Sequence, residues 1–227
     1  MKNQMIKRLT ACIIALTIGF TVCQHIYADE RTNDGMLRIA VAAHECYNNI
    51  KQGGSETEEI HAFDFNGEEI TDRFITDTRA YFISGNMDAM SEYCRQNIQK
   101  MYRISDVVES KGLDEAKTRT MEVIEAMSSS GYYITVDYKV RGTIYYNPNT
   151  YKISSASTPI RTSLLYVHPN ELFQYSTTHE VANSTIASNH LSATLNYSFK
   201  VKAITGWNNP GTIVFGTTST SFTITPN

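Results

Sequence analysis

The sequence predicts an α+β protein, with an N-terminal α-rich segment containing a short hairpin, followed by an antiparallel β-sandwich-like C-terminal half. Three observations carry that prediction. Apolar residues recur every three or four positions before residue 130 and every second position after it. Charge divides at the same place: residues 29–130 carry 20 acidic and 11 basic side chains, a balance of −9, whereas residues 131–227 carry 3 and 6, a balance of +3. Between the two, Ser128-Ser129-Ser130-Gly131 is a run that stops helices and links segments.

The first 28 residues read as a bacterial-type secretory signal. Lys2, Lys7 and Arg8 supply positive charge, and an apolar run of 15 residues follows from Leu9 to Cys23. That is short of the roughly 20 residues a spanning helix needs and matches the apolar core of a signal peptide. Ala28 places a small residue at the expected cleavage site. Lipid anchoring at Cys23 is disfavoured, because Val22 is bulky where a small residue is required. Leu9-Thr10-Ala11-Cys12 precedes the apolar core instead of following it. The expected organisation is therefore 1–28 signal peptide, 29–130 α-rich acidic segment and 131–227 antiparallel β domain. Removing 28 of 227 residues leaves 199, enough for one large domain or two small ones. A hydrophobic content of 41% and an aromatic content of 11% suit a folded, core-bearing chain. The expected location is extracellular, with no stable membrane span after signal removal. The six basic residues of the C-terminal half are scattered singly, which argues against a nucleic-acid partner.

Two cysteines remain after cleavage, Cys46 and Cys94. In an oxidising compartment a disulfide between them is the favoured reading, ahead of two buried thiols or a catalytic cysteine.

Element by element, Leu37, Ala40, Val41, His44, Tyr47 and Ile50 form one apolar stripe, predicting a helix over 36–50 that starts at Asn33 or Asp34 and stops at Gly53-Gly54. Ile60–Phe65 and Glu68–Ile70 flank Asn66-Gly67, a hairpin signal because both turn residues tolerate positive φ. Asn86 can cap a helix over 87–102, and helix formers at three- and four-residue spacing predict another over 113–127. Beyond Gly131, Ile134, Val136, Tyr138, Val140, Ile144 and Tyr146 point one way, with Tyr133 and Tyr145 on the opposite, wet side. Asn147-Pro148-Asn149-Thr150 is a turn by composition, returning as a strand from Tyr151 to Ser155. A short strand is expected at Leu164–Val167, and a long one from Leu191 to Ala203 has an outward set made almost wholly of Ser, Thr, Asn and Lys. Thr212–Phe215 and Ser221–Thr225 close the chain as strands.

The usual catalytic constellations fail specific tests. His44-Glu45 and His179-Glu180 begin an HExxH string, but neither has the second histidine. No GxSxG elbow, phosphate loop or dinucleotide fingerprint occurs. Asp64, Asn66 and Glu68 alternate oxygen ligands too briefly for a calcium loop, and the hairpin turn explains them. No catalytic residue, metal ligand or cofactor site is assigned. Trp207, in a Gly/Asn/Pro loop, fits either a cap on the core or a ligand-contact loop. With Tyr133 and Tyr145 it makes up the candidate aromatic contact set. The favoured function is a non-catalytic extracellular binding or surface-interaction protein whose partner is a glycan or protein on a surface. The alternatives are a cell-envelope hydrolase using carboxylates of the acidic half, and a secreted toxin or inhibitor whose strands rearrange on a target.

Overall fold

The computed structural model describes residues 35–51, 58–111, 114–129, 132–163, 166–168, 173–205 and 211–226. The leader, its cleavage site, the helix-capping Asn33 and Asp34, and the loop bearing Trp207 lie outside the described residues.

Among the described residues, three helices precede most of the strands. Helix α1 spans Gly35–Lys51, α2 Thr71–Ser84 and α3 Met87–Asn97. Strand β1 (Glu58–Phe63) lies between α1 and α2. After α3 come β2 (Lys100–Lys111), β3 (Asp114–Ser129), β4 (Tyr132–Tyr146), β5 (Ile153–Ala156), β6 (Ile160–Arg161), β7 (Tyr166–His168), β8 (Phe173–Ile186), β9 (Ala193–Thr205) and β10 (Gly211–Ile224). Two antiparallel sheets result. The larger runs β1-β2-β3-β4, with β5, β6 and β7 each pairing with the far side of β4, and the smaller runs β10-β9-β8. This is the α+β architecture the sequence predicts.

The central part of the larger sheet is buried on both faces. Toward the smaller sheet it presents Met121, Val123, Val136, Tyr138, Val140 and Ile144, which pack with Leu195, Tyr197, Phe199, Val201 and Phe222. Toward the helices it presents Ala62, Met101 and Ile124, which pack with Ile39, Phe74, Met90 and Ile98. The order of layers is helices, large sheet, small sheet. The two sheets approach so closely at Gly142 that a Cβ there would overlap Leu195 Cδ2.

This layering explains where the helical expectations end. The segment 113–127 is not a helix but the body of β3. Burial on both faces removes the period-two signal, because Val123 enters one core and Ile124 the other. Its Glu, Ala and Met content then imitates a helix. The helix expected over 87–102 stops at Asn97: Ile98 adopts extended geometry (φ −112, ψ 118), and Lys100 opens β2. Asn86 does cap that helix, its side chain accepting from the Ala89 N–H at 3.1 Å. Helix α2 and strand β8 carried no sequence expectation.

The Asn66-Gly67 turn forms with Gly67 at φ +80, but only the Phe63↔Glu69 bridge returns before α2 begins, and β1 pairs mainly with β2. The expected 130/131 boundary falls in the β3–β4 hairpin, which pairs from Glu115↔Tyr146 to Ser129↔Tyr132, so the large sheet continues across it. The β4 register is as predicted, with every member of the inward set buried. So is that of β9 from Ala193 to Ala203, although Leu191 precedes the strand and is exposed. The two closing strands are one, bent at a bulge where Gly216 takes φ +123.

Candidate functional site

Of the aromatic residues singled out from sequence, the described backbone places only Tyr133 and Tyr145 relative to one another. Tyr133 and Tyr145 lie twelve positions apart on β4, roughly 40 Å at about 3.3 Å per residue, so they cannot share one contact patch. The side chain of Tyr133 and all of Trp207 are outside the described residues. Tyr145 is half-buried, in register with Ala116 on β3 and Ser155 on β5. The expected Cys46–Cys94 disulfide is not formed. Cys94 is wholly buried in the helical core, where it packs as a small apolar residue.

The histidines of the two HE strings are far from one another in the fold. His44 is buried between α1 and α2, its Nε2 2.6 Å from Thr78 Oγ1 and its ring stacked on Phe82 at 4.7 Å. Burial, with the Arg79 charge nearby, pushes its pKa down to about 4. His179 sits at an exposed irregularity of β8 with φ 54. Among the described residues no group of three or more His, Cys, Asp or Glu side chains is placed to hold a metal ion. Asp64 Oδ1 is already engaged by the Asn66 and Glu68 N–H groups at 2.9 and 3.0 Å.

Two surfaces remain. The first is the outer face of the small sheet. Its pleat presents polar rungs in register: Thr223–Thr194–Thr185, Ser221–Asn196–Asn183 and Thr217–Lys200–Thr178. Asn196 Nδ2 donates to Asn183 Oδ1 at 2.9 Å, which fixes that rung. Lys200 and Lys202 point outward from the central strand, where no ion pair to a described acidic residue neutralises them. This polar set is the one the β9 alternation predicts, and the fold adds its neighbours on β8 and β10.

The second is a pocket of 270 Å³ where β10 passes the ends of β1, β2 and β3. One wall is aromatic, with the rings of Phe63 and Tyr102 stacked at 5.3 Å and 26° and His61 against the other side of Tyr102 at 4.8 Å. The opposite wall is polar. Lys100 Nζ donates to the Ser219 carbonyl at 2.6 Å and stands 3.7 Å from Glu125 Oε2. Thr218 donates to that same carboxylate oxygen at 2.5 Å, and Tyr138 OH lies 2.9 Å from Thr218 Oγ1. Thr218 has spent its proton on Glu125, so the tyrosine donates to it. A hydrogen-bonded chain thus runs from a tyrosine in the sandwich core to a carboxylate at the pocket. Burial, with Glu69 and Glu59 nearby, holds the Tyr102 phenol above its usual range, so it stays neutral. Sequence reasoning missed this pocket, whose lining is drawn from positions 63 to 221.

The fold and surfaces define an α+β protein with a helix-backed antiparallel sandwich. No family model, curated protein or solved structure matches the chain. Among the described residues no helix is long and apolar enough to cross a membrane.

Proposed function

We propose that the chain is a secreted, non-catalytic binding protein that meets a glycan-bearing surface through the outer face of β8, β9 and β10. The reading rests on the outer-face lattice, where three rungs of hydroxyl, amide and Lys200 side chains stand in register across three strands, with Lys202 one rung beyond between Val214 and Ser176. Neighbouring strands lie about 4.8 Å apart and same-face residues about 6.7 Å apart along a strand. A flat polymer rich in hydroxyl groups can exchange hydrogen bonds with such a grid at many points. The two lysines add attraction for acidic sugars. A protein partner would call for a buried aromatic centre, whereas this face carries Thr, Ser, Asn and Lys with the scattered aliphatic side chains Val181, Ile204 and Val214. The leader expected at residues 1–28 supports an extracellular setting.

Retention of the purified chain on insoluble polysaccharides, together with a glycan array that includes acidic glycans, tests the reading. Binding to acidic glycans that falls severalfold in Lys200→Glu/Lys202→Glu is the expected result. Absence of binding across array and polysaccharides would exclude it.

A further inference from the structure

We infer that the pocket beside β10 is a second, separate binding site that takes one neutral sugar ring. Three features select that ligand. The Phe63 ring, one face of which stacks on Tyr102, lines the pocket and offers a flat, weakly polar wall of the kind that covers the apolar face of a ring. Across from it, Lys100 Nζ and Glu125 Oε2 stand 3.7 Å apart, both largely buried, with side chains 23% and 15% exposed. A hydroxyl group accepts from the ammonium while donating to the carboxylate through a single oxygen, so a ring bearing hydroxyls can bridge the pair. The pair also sums to zero charge, which disfavours an ionic ligand in the same place.

Preorganisation points the same way. Thr218 and Tyr138 are fully buried and hold the Glu125 carboxylate from behind, while the Ser219 carbonyl holds Lys100. Neither charge needs to be fixed by the incoming ligand, so less of the binding energy is spent on ordering side chains. The volume of 270 Å³ lies just below the usual range for drug-sized ligands, of roughly 300–1,000 Å³, and suits one ring with its hydroxyls.

The site does not depend on the outer-face reading: Ser221 borders both, but the ligand-bridging pair Lys100 and Glu125 belongs to the pocket alone and its test is distinct. The purified chain is titrated with glucose, galactose, mannose and N-acetylglucosamine, and with free amino acids as a second panel, while Tyr and Phe ring signals are followed by NMR. At least one sugar should perturb the Tyr102 and Phe63 rings with a Kd on the order of 1–10 mM, as expected for a ligand of about twelve heavy atoms. Glu125→Gln keeps the shape and should weaken binding about tenfold or more, the usual effect of losing a charged acceptor. Lys200→Ala/Lys202→Ala should leave this binding unchanged. If Glu125→Gln does not fold, Gln99→Ala in the pocket lining replaces it, with a severalfold loss expected. No ring perturbation by any sugar, stronger perturbation by amino acids, or an unaffected pocket variant would each overturn the assignment. Loss of polysaccharide retention with intact sugar binding would instead count against the outer face alone.

Discussion

Thr218 Oγ1 donates to Glu125 Oε2 at 2.5 Å while sitting 2.9 Å from Tyr138 OH, which joins a pocket carboxylate to the centre of the sandwich. Both Thr218 and Tyr138 are wholly buried. Thr218→Val keeps the volume but leaves the Tyr138 hydroxyl with no acceptor in an apolar core. The expected cost is about 1–3 kcal/mol by urea unfolding. Adding Tyr138→Phe removes the orphaned hydroxyl and should recover part of that loss. If the double variant is no more stable than Thr218→Val, the chain is not what holds the two together.

His44 makes the helical layer sensitive to acid. Its folded pKa of about 4 lies below the ordinary 6.5, because burial and Arg79 disfavour the charged ring. The unfolded chain therefore binds more protons between these two values, and stability falls as pH drops from 6.5 toward 4. From about pH 7 to pH 4.5 the expected loss from this residue is about 2 kcal/mol. His44→Leu should flatten that part of the profile, since Thr78 retains its bond to the Phe74 carbonyl at 2.7 Å. Urea midpoints at the two pH values check it, and an unchanged slope in the variant would assign the effect elsewhere.

Sheet-to-sheet spacing is set locally by Gly142. A methyl group there would overlap Leu195 Cδ2, in a region where Leu195 is fully buried and Phe222 stands behind it. Gly142→Ala should cost about 1–3 kcal/mol through overpacking. Leu195→Ala in the same chain opens the space and should make the two changes markedly non-additive. Simple additivity would mean that the sheets slide apart freely at this point.

How much of this was legible in the sequence follows from how many faces each element buries. Strand β9 has one apolar and one wet face, so alternation from Ala193 to Ala203 reads directly. Strand β4 buries its inward set, and its other face carries Asp137, which is also buried and paired with Arg38 of α1. That half was read as wet because the helical layer covering it comes from sequence a hundred positions away. Strand β3 gave the wrong period for the same reason, with apolar residues needed on both sides. The pocket was not legible at all. Lys100, Glu125 and Ser219 carry no motif, and only the crossing of β10 over the ends of β1, β2 and β3 brings them together.

Arg119 ties the edge strand β10 to an ion pair of the large sheet. Its Nε and Nη2 donate to the two oxygens of Asp106 at 2.7 and 2.8 Å, and its Nη1 donates to the Thr223 carbonyl at 2.6 Å. Burial tends to raise the Asp106 pKa, but the bonds and charge of Arg119, with Lys117 beside it, overcome this and hold the carboxyl below its ordinary range. The pair is mostly enclosed, with side chains 15% and 24% exposed, so it is screened less than a surface pair. Arg119→Ala leaves Asp106 with Lys117 alone, 3.3 Å away, and uncovers an edge carbonyl, and should cost about 2–3 kcal/mol. Arg119→Lys keeps the charge but cannot reproduce the fork, so its cost should be smaller yet measurable, about 1–2 kcal/mol. Hydrogen exchange of the β10 amides separates this from a purely global effect. Exchange near Thr223 should accelerate in both variants before the β3–β4 amides respond, and uniform acceleration across both sheets would refute the local tie.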